Sequence, residues 1–112
     1  MIAVVIPTYC EAENIEKLIS ELESLNLDLW LIVVDDSSPD GTASVVRGLM
    51  RRYDNLTLVE RPRKGGIGTA ILRGFKVSSS SRKEVDYVAV MDADLSHDPK
   101  AVSYTHLTLP TN

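Results

Sequence analysis

The chain has 112 residues and is 44% hydrophobic, enough for one modest core and too little for two domains. Its net charge of −4, with basic residues scattered apart from Arg61-Pro62-Arg63-Lys64, argues against nucleic acid as a partner. The single cysteine, Cys10, excludes an internal disulfide and fits a reducing compartment. No run approaches the roughly 18 apolar residues of a membrane span, and a strand starting at Ile2 leaves no room for a signal peptide, so a soluble, cytoplasmic chain is expected.

Ile2 to Ile6 is a continuous apolar, β-rich run stopped by Pro7, the pattern of a strand buried on both faces. Ile15, Leu18, Ile19, Leu22 and Leu25 follow helical spacing, with Glu11 and Glu13 where acids favour a helix start. Leu29 to Val34 is a second strand. Val45, Val46, Leu49, Met50 and Tyr53 mark a second helix, Leu56 to Val59 a third strand, and Ile67, Ala70, Ile71, Gly74 and Phe75 a third helix. Ser78-Ser79-Ser80-Ser81-Arg82-Lys83 reads as a polar loop, and Tyr87 to Met91 as a fourth strand. Strands alternating with helices imply a parallel sheet covered on both faces, with Trp30 anchoring the core at a strand start.

Two strands end in acids. Val88 to Met91 runs into Asp92-Ala93-Asp94-Leu95-Ser96-His97-Asp98-Pro99, and ligands of open α/β sheets bind beyond the carboxyl ends of strands. Two carboxylates one residue apart repel each other, and a divalent cation that takes oxygen ligands relieves the repulsion while holding substrate phosphates. Asp-x-Asp also caps helices and lines turns, so the motif draws its weight from context. The second acidic end is Asp35-Asp36-Ser37-Ser38-Pro39-Asp40-Gly41-Thr42. Turn chemistry and an N-cap at Asp40 or Thr42 account for its later residues. They do not account for Asp35 and Asp36, which stand where nucleoside-binding folds accept hydrogen bonds from a ribose or base.

Residues 102–112 carry no Asp, Glu, Lys or Arg and no helical periodicity, although Asp98-Pro99-Lys100-Ala101 resembles a helix start. The string resembles translated sequencing-adapter tails. It is expected to be foreign, and residues 1–101 to be the nucleotide-sugar-binding front part of a longer, C-terminally truncated enzyme.

Four ordered segments carry a family resemblance over about residues 2–101. They are Val5-Ile6-Pro7-Thr8-Tyr9-Cys10-Glu11-Ala12-Glu13-Asn14-Ile15, Val34-Asp35-Asp36-Ser37-Ser38-Pro39-Asp40-Gly41-Thr42, Arg61-Pro62-Arg63-Lys64-Gly65-Gly66-Ile67-Gly68-Thr69-Ala70 and Met91-Asp92-Ala93-Asp94-Leu95-Ser96-His97. Together they resemble the dolichyl-phosphate (polyprenol-phosphate) mannosyltransferases of glycosyltransferase family 2. The resemblance implies the A-type glycosyltransferase fold, a Rossmann-like α/β architecture. It implies inverting transfer of mannose from GDP-mannose to a polyprenol or dolichyl phosphate at the cytoplasmic face of a membrane. Membrane contact would come through a missing C-terminal part or a partner subunit. By position, Pro7, Tyr9, Glu11, Val34 and Asp36 would line the nucleoside pocket, and Asp92, Ala93 and Asp94 would contact the diphosphate. Asp92 and Asp94, with Ser96 as a further ligand, would bind Mg2+ or Mn2+.

Departures and other readings accompany the resemblance. Relatives usually carry Asn where this chain has Cys10, which removes one polar contact, and a lone cysteine packs as a small hydrophobe. His97 reads as a helix-start residue, because hard cations prefer oxygen. Tyr9, after Pro7 at a strand end, is placed to stack on a base. Two readings stay open for Arg61, Arg63 and Lys64: a solvated loop, or a segment whose glycines permit close packing or the approach of a phosphate. An inactive, truncated nucleotide-binding fragment is the main alternative, and a family 2 transferase with another sugar nucleotide donor is a further one. Sugar nucleotidyltransferases usually open with a Gly-rich phosphate loop, and Pro7-Thr8-Tyr9-Cys10-Glu11 has none.

Overall fold

The computed structural model describes residues 1–63 and 65–94. Lys64 and residues 95–112 lie outside the described residues, and with them Ser96, His97 and the tail expected to be foreign. Among the described residues, four strands, β1 (Ile2–Thr8), β2 (Leu29–Asp35), β3 (Leu56–Glu60) and β4 (Tyr87–Val90), alternate with three helices, α1 (Ile15–Glu23), α2 (Thr42–Leu49) and α3 (Ile67–Ser80). All pairings are parallel, in the order β3-β2-β1-β4.

Alternation along the central strands divides the core into two layers, because successive side chains point to opposite faces. Val4 and Ile6 of β1 with Leu29, Leu31 and Val33 of β2 pack against Ile15, Leu18, Ile19 and Leu22 of α1 and Val46 and Leu49 of α2. Ala3, Val5, Trp30, Ile32 and Val34 face the other way, onto Ala70 and Phe75 of α3. Continuous apolar runs are what a parallel sheet covered on both faces requires. The indole of Trp30 is buried and donates through Nε1 to Thr57 Oγ1 at 2.9 Å, while the Lys83 ammonium sits 5.2 Å from its ring. Helix α3 approaches β1 closely at Gly74, where an added Cβ would lie 2.4 Å from Val5 Cγ1.

Some sequence expectations shift. Strand β1 runs through Pro7, paired with Val34, rather than stopping before it. Val5 O accepts from Met91 N and Thr8 O from Asp36 N, so odd residues of β1 address β4 and even ones β2. The missing Pro7 N–H therefore falls on the β4 side, just past the last β1–β4 pair at Val5 and Val90, where the pairing ends. Helix α2 ends at Leu49, leaving Met50 exposed. Ser78, Ser79 and Ser80 are helical rather than a loop; Ser78 Oγ donates to Phe75 O and Ser80 Oγ to Lys76 O, back-bonding common in serine-rich last turns.

Candidate active site

From β1 the chain steps outward through β2 to β3, then crosses back to add β4 on the other side of β1. The reversal lies between β1 and β4, and open α/β sheets bind ligands at such a point. Pairing of the two strands ends at Val5 and Val90, so their continuations separate and open a crevice. A cavity of about 260 Å³ occupies it. Pro7, Thr8, Tyr9 and Glu11 line it from β1 and its loop, Asp36 from the end of β2, Gly66, Ile67 and Ala70 from the start of α3, and Asp92, Ala93 and Asp94 from beyond β4.

The loops after β1 and β2 are sewn together, which fixes one side of the cavity. Cys10 N–H donates to Ser38 Oγ at 2.8 Å, Glu11 N–H to Thr42 Oγ1 at 3.0 Å and Ala12 N–H to Asp40 Oδ2 at 3.1 Å. Asp40 Oδ1 in turn accepts from the backbone N–H and hydroxyl of Thr42. The Thr42 hydroxyl first, then the Ala12 and Thr42 amides, hold the Asp40 carboxyl below its usual range. The N-cap of α2 is Gly41, at φ +90°, rather than Asp40 or Thr42. Cys10 at φ +58° and Ser37 at φ +53° also adopt the left-handed region.

The two acids ending β2 divide their tasks. Asp35 is buried and accepts from Thr8 Oγ1, Ser38 N and Ser38 Oγ at 2.6 to 3.0 Å, which ties β2 to β1 and to its own turn. Asp36 reaches the cavity. Arg61 donates to both of its oxygens, Nε to Oδ1 and Nη2 to Oδ2, and the Gly65 amide donates to Oδ2 at 3.1 Å. That carboxylate raises the pKa of the Arg61 guanidinium above its ordinary value. Arg61 also donates to Thr69 Oγ1 and Gly66 O, so one guanidinium joins the β2 end to the start of α3.

Of the expected pocket residues, Pro7, Tyr9, Glu11, Asp36, Asp92, Ala93 and Asp94 share this cavity. Val34 does not line it: its side chain is fully buried in the α3-facing core layer, because odd and even positions of β2 point to opposite faces of the sheet. Ser96 lies outside the described residues. Asp92 is partly buried and Asp94 exposed, on either side of a buried Ala93. Among the described residues no three His, Cys, Asp or Glu side chains form a ready ligand set. Two carboxylates nevertheless fit Mg2+ or Mn2+, since such ions commonly take one or two protein carboxylates and complete their shell with water and substrate phosphate.

Residues 3–105 match the family described as glycosyl transferase family 2. The chain belongs to this family. Among its relatives, this family 2 chain is 38% identical over 103 residues to a dolichol-phosphate mannosyltransferase of Pyrococcus furiosus, covering 90% of the chain and 28% of the relative. It is 36% identical over 101 residues to a polyprenol monophosphomannose synthase of Mycolicibacterium smegmatis, covering 89% of the chain and 37% of the relative. In structure it resembles a mannosyltransferase of Pyrobaculum calidifontis in complex with GDP-Man and Mn2+, with TM-score 0.73 and 31% identity over 83% of this chain and 27% of that one. S. aureus TarS, at TM-score 0.75 and 23% identity over 92% of this chain and 30% of that one, agrees in fold. The fold is that of the A-type glycosyltransferases, and the chain spans roughly a third of the length of its relatives.

Two site residues escaped the sequence reading. Arg61 belongs neither to a solvated loop nor to a phosphate-approach segment: its side chain is only 16% exposed and bound to Asp36. The register Asp35↔Glu60 puts Asp36 and Arg61 side by side, so aligning the ends of the second and third strands would have found the pair. Ile67, which shares the helical spacing of Ala70, Ile71, Gly74 and Phe75, is 61% exposed and lines the cavity.

Proposed function

We propose that this protein transfers mannose from GDP-mannose to the phosphate of a polyprenol or dolichol, with inversion at the sugar carbon. One observation carries the reading: a single cavity at the sheet's reversal point joins Pro7, Tyr9, Glu11 and Asp36 to the acid pair Asp92 and Asp94. A nucleoside fits the first group and a metal-bound diphosphate the second. The named activities of the relatives and the GDP-Man and Mn2+ of the structural neighbour support the choice of donor.

Asp92 and Asp94 would hold Mg2+ or Mn2+, with Ser96 as a further oxygen donor. When bound, the ion neutralises charge on the departing diphosphate. The chain's own residues orient the donor. Tyr9 offers a ring to a base, Glu11 and Asp36 offer acceptors to hydroxyl and N–H groups, and the Arg61 clamp keeps Asp36 in one rotamer. An acceptor phosphate is anionic near neutral pH, so the reaction needs positioning and leaving-group stabilisation more than a general base. A lipid acceptor implies that the whole protein works at a membrane, at its cytoplasmic face in this reading, although no helix among the described residues is long and apolar enough to cross one.

Calorimetric titration of GDP with and without Mn2+ or Mg2+ tests the donor site, and transfer of labelled mannose from GDP-mannose to a polyprenyl phosphate tests the reaction. Asp94→Asn is expected to lower turnover about a hundredfold, the factor that losing roughly 3 kcal/mol of charge stabilisation corresponds to. Equal GDP affinity with and without the ion would remove Asp92 and Asp94 from the metal role. Nucleotide binding without transfer is the second reading. It fits a chain that spans roughly a third of the length of its relatives.

A further inference from the structure

Five large apolar side chains are exposed among the described residues, and two of them, Tyr9 at 40% and Ile67 at 61%, line the same cavity. A single exposed apolar residue needs no explanation. Two on one concave surface, brought there by separate elements, form a surface suited to a ligand. Tyr9 follows β1, and Ile67 is the first residue of α3.

Ile67 is flanked by glycines. Its neighbours Gly65, Gly66 and Gly68 carry no side chains, and a Cβ added at Gly66 or Gly68 would meet nothing within 4 Å. The first turn of a helix favours proline or acidic residues, whereas a β-branched apolar group contributes little there. Nor does Ile67 serve the core, whose layer beneath α3 takes Ala70 and Phe75 instead.

The cavity is chemically divided. Pro7, Tyr9, Ile67 and Ala70 supply apolar lining, Glu11 and Asp36 add polar acceptors beside it, and Asp92 and Asp94 supply carboxylates from beyond β4. A matching ligand has a flat, weakly polar body and an end that binds a metal ion.

We infer that Ile67 covers the face of the nucleobase opposite Tyr9, sandwiching the base between an aliphatic and an aromatic side chain, and so sets affinity for the nucleoside part of the donor. The inference rests on the nucleotide-sugar reading above and adds a residue that acts on the base and not on the diphosphate. Covering a base face removes apolar surface of both partners from water, and an already exposed side chain gives up no core packing to do so.

Titration of the full chain with GDP and, separately, with inorganic pyrophosphate, both with Mn2+, tests this in the wild type, Ile67→Ser and Ile67→Phe. Thermal unfolding checks that the variants stay folded. Ile67→Ser is expected to weaken GDP about tenfold, the factor that partial burial of one aliphatic side chain supplies, and to leave pyrophosphate affinity unchanged. Ile67→Phe, which keeps an apolar cover, is expected to match or exceed the wild type. Equal GDP affinity in wild type and Ile67→Ser overturns the inference and leaves the donor-site reading intact. Equal weakening of GDP and pyrophosphate also overturns it, since that reports a disturbed helix start. A wild type that binds pyrophosphate but not GDP overturns both.

Discussion

Arg61 closes its guanidinium on Asp36 in a two-pronged ion pair, with the side chains 16% and 6% exposed. Removing one partner of so enclosed a pair leaves the other charge without compensation, which is more damaging than never having built the pair. Arg61→Ala is therefore expected to cost about 2–4 kcal/mol in urea unfolding. Arg61→Lys should recover only part of this, because an ammonium cannot reproduce the fork. The double variant Arg61→Ala with Asp36→Ala should be more stable than Arg61→Ala alone. If the double variant is less stable by the full sum of the single effects, the two residues are not coupled.

Two helical glycines should respond to alanine with opposite sign. At Gly74 the new methyl would lie 2.4 Å from Val5 Cγ1, so α3 must lift from β1, at a cost of about 1–3 kcal/mol. At Gly48 in α2 nothing lies within 4 Å of the added carbon, and the helix gains up to about 1 kcal/mol from the better helix former. Thermal unfolding of the two variants measures both. Stabilisation by Gly74→Ala would mean that α3 and β1 are not packed this closely.

Cys10 occupies the left-handed region at φ +58°, with its side chain exposed. Among residues with a Cβ, asparagine tolerates that conformation best and β-branched residues worst. This is a backbone reason for the asparagine that the family resemblance implies here, separate from any contact with nucleotide. Cys10→Asn should raise the unfolding midpoint slightly, while Cys10→Val should lower stability by about 1–2 kcal/mol. Equal midpoints for the two variants would show that the backbone at this position is not strained.

The parallel sheet was legible because Ile2 to Ile6 and Leu29 to Val34 are apolar without alternation, which only a strand covered on both faces needs. Asp36, Asp92 and Asp94 were legible for a related reason: parallel strands all end at one edge, so acids at their ends converge. The Arg61 clamp was not, because it depends on the β2–β3 register, which the sequence does not state. Val34 and Ile67 misled in opposite directions. Neighbouring an acidic strand end did not bring the Val34 side chain to the cavity, since strand alternation turns it to the core. Helical spacing gave Ile67 an angle around its axis but not the fact that the first turn of α3 stands over the crevice instead of the sheet.

Asp40 ties the loop after β1 to the start of α2, and its acid titration should be visible in stability. Its folded pKa lies below the usual 3.8, chiefly through the Thr42 hydroxyl and then the Ala12 and Thr42 amides. As pH falls, the unfolded chain thus binds the proton first. The stabilisation is fully present above the unfolded value and is lost as pH drops through the folded one. Asp40→Asn removes this contribution, so the gap between wild type and variant should stay constant from pH 7 to about pH 5 and shrink below about pH 4. Urea midpoints across that range measure it. A gap that stays constant to about pH 2 would show that the carboxylate charge is not what Thr42 and Ala12 recognise.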